Sequence, residues 1–212
     1  MPNFASHLLT PPAVLAAEMA RLPREGAVAF PLVDAAGCQK MLAATEGLSF
    51  RDGTPVVGSP GNEVTQDFRI CMNFNDTSAL DDYQESFEKL LNQAFQLMQP
   101  QPYPTPFAFN DRAVLHYAKG STGISPHRDL VFFEAVIAIL TLKGEAGFYI
   151  CDDREKTNAR RMKAEAGVMI LMRGKNFAGL EDRPYHYVEG ITRDRVGYGL
   201  RYNVREPEEK AR

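Results

Sequence analysis

The sequence lacks several features that assign a protein to a common class. It has only three cysteines in 212 residues, Cys38, Cys71 and Cys151, and no Cys-x-x-Cys pair. An odd number of widely spaced cysteines argues against a disulfide framework, so we expect reduced, buried thiols in a cytoplasmic protein. The sequence also has no basic segment leading into an apolar run at its N-terminus and no stretch apolar enough to span a membrane. We therefore expect no membrane association.

The charge balance gives little support for a nucleic-acid partner. Lys and Arg number 24 against 27 for Asp and Glu, a net charge of −3. A chain with this charge has no overall electrostatic footprint for a phosphate backbone. The stretch from Arg154 to Lys163 is a local basic patch, which we interpret as a solvated hairpin. The charge balance therefore disfavours a nucleic-acid partner without excluding it.

The stretch Gly123-Ile-Ser-Pro-His-Arg-Asp-Leu130 contains the His-Arg-Asp-Leu sequence of a protein-kinase catalytic loop. A kinase also needs an Asn four residues after the Leu, a Gly-rich phosphate loop, a strand Lys and an Asp-Phe-Gly motif. Position 134 is Glu, and the other motifs are absent from the sequence. The kinase hypothesis is therefore excluded.

His127 and Asp129 remain as two potential metal ligands separated by one residue. On a strand, positions i and i+2 project from the same face, so the two side chains could share one ion. Of the other histidines, His7 is near the N-terminus and His116 precedes the pair, which leaves His186 as the best third ligand. Two histidines and one carboxylate form the facial triad of non-haem Fe(II) oxygenases. Taken alone, however, a His-x-Asp sequence is more often an ordinary polar pair.

The segment from Arg195 to Val204 alternates with period two, which predicts a strand. Its apolar face carries Val196, Tyr198, Leu200, Tyr202 and Val204, and its other face carries Arg195, Gly197, Gly199, Arg201 and Asn203. Strand glycines often mark the close approach of a ligand, and buried arginines need counter-anions such as a dicarboxylate. About 20 Å of strand separates the two arginines, so only one would hold the far carboxylate. The alternative is a solvated face.

The remaining patterns predict a mainly β protein with supporting helices, an α+β class with a double-stranded β-helix or jelly-roll core. We expect one catalytic domain over residues 1–212, with helices, a strand and a loop in 1–106 and the core with its metal site in 107–205. Helices are predicted over 11–22 and 78–98, with a third capped by Asp34, a strand over 26–33, and a long loop over 52–66. The core strands are predicted at 112–119, 131–142, 147–151, 161–164, 168–173, 184–189 and 195–204.

These features together resemble the Fe(II)- and 2-oxoglutarate-dependent dioxygenases, over about residues 110–205. In that family a His-x-Asp…His triad is followed, on the penultimate or last core strand, by an Arg that pairs with the distal carboxylate of 2-oxoglutarate. Tyr117-Ala-Lys-Gly120 looks like the family's Tyr-x-x-Gly motif running into the first two ligands. The best local match is to the branch of the alkylated-nucleic-acid demethylases, in which two arginines are also six residues apart on the last strand. Where that branch often has an Asn, this chain has Leu115.

The resemblance implies an oxidoreductase that modifies a substrate C–H bond and releases succinate and CO2. It implies Fe(II) held by three ligands, His127, Asp129 and His186. It also implies that Arg195, with Tyr117, anchors the distal carboxylate of 2-oxoglutarate, and that Arg201 orients the cosubstrate or substrate near the metal. The presence of Asp129 disfavours a halogenase variant, which loses this carboxylate.

Two other classes of protein stay open. One is a cupin-like metalloprotein that uses the same ligands without 2-oxoglutarate, and the other is a non-catalytic jelly-roll binding module. Four aromatic residues flank the predicted ligands and could line an apolar pocket or belong to the core: Phe132, Phe133, Tyr185 and Tyr187. The sequence does not identify the substrate: a small molecule or a protein side chain is favoured by the charge balance, and an alkylated base stays open.

Overall fold

The computed structural model describes residues 4–74 and 78–205. Four α-helices are described, and they are α1 (Pro12–Met19), α2 (Leu22–Glu25), α3 (Ala35–Ala43) and α4 (Ser78–Leu97). The strands are β1 (Ala27–Pro31), β2 (Arg51–Asp52), β3 (Val56–Val57), β4 (Val64–Asp67), β5 (Arg69–Cys71), β6 (Asp111–Tyr117), β7 (Gly123–His127), β8 (Phe133–Lys143), β9 (Gly147–Cys151), β10 (Arg160–Met162), β11 (Val168–Arg173), β12 (Tyr185–Glu189) and β13 (Arg195–Asn203). Within the described ranges, no helix combines the length and the apolar character that crossing a membrane requires.

The strands form two antiparallel sheets. The larger has the order β1-β11-β8-β13-β6-β5-β2, and the smaller has the order β10-β9-β12-β7-β4-β3. Strand β13, late in the sequence, pairs with β6 on one side and with β8 on the other. The mainly β, jelly-roll class predicted from the sequence is confirmed.

The helices cover the outer face of the larger sheet. Helix α4 has the predicted apolar stripe, and its side chains Tyr83 and Phe87 are fully buried. They join one hydrophobic core with Val196, Tyr198 and Leu200 of β13, the face that the alternating pattern marks as apolar. The prediction of a helix over 78–98 is thus confirmed. This helix covers the apolar face of β13, which points away from the smaller sheet.

A second hydrophobic core lies between the two sheets. It contains Tyr117 and Ile137 from the larger sheet and Phe148, Ile150 and Val188 from the smaller one. Because alternate residues of a strand point to opposite faces, Arg195, Gly197, Gly199 and Arg201 face this inner layer.

The first 106 residues contribute both helices and strands. Strand β1 lies within the predicted range 26–33, and the Asp34 side chain accepts a hydrogen bond from the Gly37 amide at 2.7 Å, the N-cap predicted for α3. The helix predicted over 11–22 ends at Met19 and is followed by the short α2. Pro23 accounts for this break, because its ring would clash with the carbonyl four residues earlier in a continuous helix.

The prediction of a loop over 52–66 is wrong, and one core strand is missing from the predicted set. The range 52–66, predicted as a loop, contains β3 and parts of β2 and β4, and β4 extends the smaller sheet by pairing with β7. Residues 123–127 were not predicted as a core strand, yet they form β7, which pairs with β12. The sheets therefore include strands from both halves of the chain. The predicted single domain also includes residues 1–3, 75–77 and 206–212, which lie outside the described residues.

Candidate active site

A cavity of about 800 Å³ lies between the two sheets. All six site residues predicted from the sequence line it, and they are Tyr117, His127, Asp129, His186, Arg195 and Arg201. The range 53–66 covers one side of the cavity, with Val57, Asn62 and Gln66 among its lining residues. Of the four aromatic residues that flank the predicted ligands, Phe133 and Tyr185 line the cavity. Tyr187 instead stacks on Tyr149.

The two histidines meet because their strands pair. His127, at the end of β7, lies directly opposite His186 of β12, and their ring centroids are 4.2 Å apart. The Nδ1 of His127 donates to the Ser125 carbonyl at 2.9 Å, which leaves its Nε2 free to bind a ligand. Burial and the neighbouring His186 lower the pKa of His127 to about 4. His127 is therefore neutral at pH 7, the form that binds a metal.

Asp129 completes the group from outside the strand. Strand β7 ends at His127, so the expectation that both residues share one strand face is wrong. The backbone carbonyl of Asp129 instead accepts a hydrogen bond from Arg183. The side-chain Oδ2 of Asp129 lies 3.6 Å from Nε2 of His186. One ligand atom from each of Asp129 and the two histidines lies within 4.8 Å of the others. Two imidazoles and one carboxylate at this spacing suit a divalent first-row metal ion.

Arg195 is a buried cation without a counter-anion. It begins β13, pairs in register with Tyr117 of β6, and is 2 % exposed. Its side chain donates to the Thr141 hydroxyl at 3.2 Å and lies 5.5 Å from the Tyr117 ring centroid, but it forms no ion pair with any described residue, and its Nε has no partner. Burial lowers the pKa of this guanidinium. Because an unpaired buried charge is costly, the position favours a bound anion.

Arg201 has its own carboxylate. Its terminal nitrogen lies 2.6 Å from Oδ1 of Asp111, the residue opposite it on β6, and its guanidinium lies 4.9 Å from the Phe133 ring centroid. Its charge is thus already balanced by the protein. Of the two arginines on this strand face, Arg195 is the one that lacks an anion.

The two glycines of β13 keep the cavity open between these arginines. Both Gly197 and Gly199 line the cavity. A Cβ atom on Gly197 would lie 3.5 Å from the Arg195 guanidinium, and one on Gly199 would meet nothing closer than 3.8 Å. Any larger side chain would project into the space beside Arg195. The glycines therefore leave room for a ligand and are not required by the backbone conformation.

Four further arginines line the cavity, and sequence reasoning missed them: Arg51, Arg128, Arg154 and Arg183. Arg154 lies in the basic stretch interpreted as a solvated hairpin. The β9–β10 hairpin is present, but Arg154 turns inward, is half-buried, and donates to the carbonyls of Glu63 and Asn62 at 2.8 and 3.2 Å. No local pattern distinguishes it from its exposed neighbour Arg161.

The cysteines do not line this cavity. All three are free and buried, as expected. They act as small apolar side chains in the two cores or beside them.

The residues present fit Fe(II) and 2-oxoglutarate. The triad offers nitrogen and oxygen donors of the kind that non-haem iron uses, and the unpaired guanidinium of Arg195 faces the same cavity. A guanidinium can hold a carboxylate through two parallel hydrogen bonds. The cavity therefore combines a possible metal site with a possible carboxylate site.

Comparisons with known proteins give a likeness in structure only. No protein-family model matches the sequence, and no curated protein sequence matches it. A prolyl hydroxylase from Trichoplax adhaerens, solved with a hypoxia-inducible-factor peptide, is 12 % identical with a TM-score of 0.66, covering 94 % of this chain and 93 % of that one. A Pseudomonas putida prolyl-4-hydroxylase is 15 % identical with a TM-score of 0.63, covering 91 % and 100 %.

A third similar structure has a different activity. The non-haem α-ketoglutarate-dependent epimerase SnoN from nogalamycin biosynthesis is 16 % identical with a TM-score of 0.64, covering 91 % of this chain and 84 % of that one. Since these proteins act on different substrates, the likeness does not transfer a substrate to this chain. It does identify the architecture: this chain shares the fold of these solved structures.

Proposed function

We propose that the protein is a non-haem iron dioxygenase that uses 2-oxoglutarate as cosubstrate. The observation that carries this proposal is the buried, unpaired Arg195 in the same cavity as the His127–Asp129–His186 group. A metalloprotein that did not use an anionic cosubstrate would have no need for this isolated charge. The fold is consistent with the proposal, because the similar solved structures include two prolyl hydroxylases and a non-haem α-ketoglutarate-dependent epimerase.

The bound Fe(II) and 2-oxoglutarate would supply the oxidising chemistry, in which O2 is consumed and succinate and CO2 are released as a substrate C–H bond is modified. The protein's residues hold these groups. His127, Asp129 and His186 would hold the metal on one side and leave its other positions open. Their geometry is fixed by the pairing of β7 with β12 and by the hydrogen bond from Arg183.

Arg195 would hold the distal carboxylate of 2-oxoglutarate. The Thr141 hydroxyl and the Tyr117 ring orient its guanidinium, and the apolar side chains of Leu115, Ile137 and Ile139 line the same cavity. Exclusion of water by this apolar wall strengthens the guanidinium–carboxylate interaction. Tyr117 would support the anchor through its ring, the role that the resemblance implies for it.

Anaerobic titration of the protein with Fe(II) and 2-oxoglutarate tests the proposal. The wild type should develop a visible metal-to-ligand charge-transfer band, His186→Ala should lose it, and Arg195→Gln should require at least about tenfold more 2-oxoglutarate to produce it. Arg195→Lys keeps the charge but not the two parallel hydrogen bonds, so its affinity for 2-oxoglutarate should lie between those of the wild type and Arg195→Gln.

Each alternative class of protein gives a different result. A cupin-like metalloprotein would bind metal without forming the band, and Arg195→Gln would leave its metal affinity unchanged. A binding module would purify without stoichiometric metal and would keep its ligand affinity in His186→Ala. Either result would overturn the proposed function.

A further inference from the structure

The cavity wall carries more positive charge than the cosubstrate would neutralise. Six arginines line it, and the carboxylate of Asp129 is the one acidic side chain among its described lining residues. Arg195 is assigned to the cosubstrate, and Arg201 is paired with Asp111. The charges on Fe(II) and on the 2-oxoglutarate dianion cancel each other. The surplus charge therefore comes from four residues, Arg51, Arg128, Arg154 and Arg183.

Arg154 and Arg183 are the two half-buried members of this set. Arg183 donates to the Asp129 carbonyl, and Arg154 donates to the carbonyls of Asn62 and Glu63. Neither forms an ion pair with a described residue, and the Nε of each is buried without a partner. Carbonyl groups accept hydrogen bonds but leave the positive charge unbalanced. Both guanidinium charges thus remain available to an anion inside the cavity.

Both arginines line the same cavity as the proposed metal ligands. Arg183 also contacts one of these ligands directly, because it donates to the backbone carbonyl of Asp129. The cavity also contains an apolar surface that the cosubstrate anchor does not explain, formed by side chains that include Val57, Val64, Ile70, Leu130 and Val131. A ligand that matched both features would combine an apolar body with an anionic group.

We propose that the substrate is a small organic anion whose carboxylate or phosphate group is held by Arg154 and Arg183 while its apolar body lies against the cavity wall. This inference rests on the proposed function and names the substrate class of the same site. The cavity volume of about 800 Å³ is in the range of small-molecule sites. An anion held at this point would place a neighbouring C–H bond beside the triad.

A nucleic acid fits these observations less well. The chain carries a net charge of −3, and the six arginines described above line a cavity between the sheets, whereas a phosphate backbone needs a basic surface that it can follow. A positively charged cleft in an acidic protein instead attracts small anions from solution.

Anaerobic calorimetry on the protein loaded with Fe(II) and 2-oxoglutarate tests this proposal. The probes are three sets of compounds that share the same aliphatic or aryl-alkyl groups. One set carries a carboxylate, the second a phosphate monoester and the third a neutral alcohol. At least one anionic set should bind about tenfold or more tightly than its alcohols, and the preference should weaken at high salt. The carboxylate and phosphate sets distinguish the two sources of the anionic group.

Arg154→Gln provides the residue-level test. Gln keeps a donor for the carbonyls of residues 62 and 63 but removes the charge, so anion affinity should fall about tenfold or more while alcohol affinity is kept. The matched control is Arg161→Gln, which removes the same charge from an exposed position on the same hairpin and should change neither affinity. If Arg154→Gln does not fold, the anion-over-alcohol preference of the wild type and its salt dependence decide the question.

The possible failures are distinguishable. Absence of the charge-transfer band in the wild type would overturn the proposed function. A band without any preference for anions over alcohols, or a preference that Arg154→Gln and Arg161→Gln reduce equally, would overturn the anion site alone. A single-stranded oligonucleotide that bound more tightly than every small anion, through Arg154, would overturn the assignment to a small molecule.

Discussion

Arg195 and Arg201 are the same residue type on the same face of one strand, and their neighbours give them different chemistry. Asp111 lies 2.6 Å from Arg201, whereas Arg195 is buried with a hydroxyl and an aromatic ring as its contacts. The sequence could place both arginines on one face because the alternation is local. It could not say which one lacks an anion, because Asp111 reaches Arg201 through strand pairing across 90 residues of chain.

This difference predicts unequal effects of the same substitution. Arg195→Gln removes the cation that has no other partner, so it should weaken 2-oxoglutarate binding about tenfold more than Arg201→Gln does. Anaerobic titration of the charge-transfer band in both variants measures the two affinities. Equal losses, or a larger loss in Arg201→Gln, would assign the distal carboxylate to Arg201 instead.

The buried thiols give a second prediction at this scale. Burial raises the pKa of Cys38 to about 11, with a further contribution from the charge of Asp34. At pH 9 only about one Cys38 side chain in a hundred would be the reactive thiolate, against about half of the same group at its ordinary pKa. A maleimide reagent followed by mass spectrometry should therefore label Cys38 slowly in the folded protein and rapidly in urea. Complete labelling of Cys38 in the folded protein within minutes would contradict this assignment.

At the level of elements, β7 shows what the sequence could not predict. Helix α4 and strand β13 follow from local periodicity, because one face of each is apolar along its length. Strand β7 contains Gly123 and Pro126, which weaken any local preference for a strand, and its pairing with β12 is irregular between its two matched positions. Its conformation depends on β12 and β4 on its two sides. The match of His127 to His186 is a consequence of that long-range pairing.

Gly123 offers a direct test of this pairing. Its φ is +84°, and a Cβ atom there would lie 1.9 Å from the Val188 carbonyl oxygen of β12. Gly123→Ala should therefore destabilise the protein by about 2–4 kcal/mol and reduce metal affinity, because β12 must move away with His186. Urea unfolding and metal titration measure the two effects.

Gly120 is the matched control for this substitution. It has the same φ of +84°, but a Cβ atom there would meet nothing within 4 Å. Gly120→Ala should cost only the backbone strain of about 1–2 kcal/mol and should leave metal affinity unchanged. If the two variants behaved alike, the close contact between β7 and β12 would not be what positions the histidines.

At the scale of the whole molecule, the candidate site joins parts of the chain that are far apart in sequence. It takes residues from both sheets, and the range 53–66 covers it from the first half of the chain. The division of one catalytic domain into residues 1–106 and 107–205 remains a prediction, although β1 and β5 of the first part pair with β11 and β6 of the second.

Binding at such a site should stabilise the entire fold. A ligand that binds the folded state alone raises its stability by about 2.7 kcal/mol at a concentration 100 times its Kd, which corresponds to a rise of about 5–11 °C in Tm for a chain of this size. Anaerobic thermal unfolding with Fe(II) and 2-oxoglutarate together should show this rise in the wild type and not in His186→Ala. An equal rise in both proteins would place the binding site elsewhere.

The position of β13 in the larger sheet also bears on how the protein forms in the cell. Strand β13 comes after β6 and β8 in the sequence, at residues 195–203, yet it lies between them in the middle of the sheet. While the ribosome is still adding these residues, the partner edges of β8 and β6 have no strand between them and expose unpaired backbone groups that favour aggregation. Closure of the sheet, and with it the delivery of Arg195 to the cavity, must then follow the synthesis of residues 195–203. A nascent chain that stalls before β13 would be a natural client for chaperones.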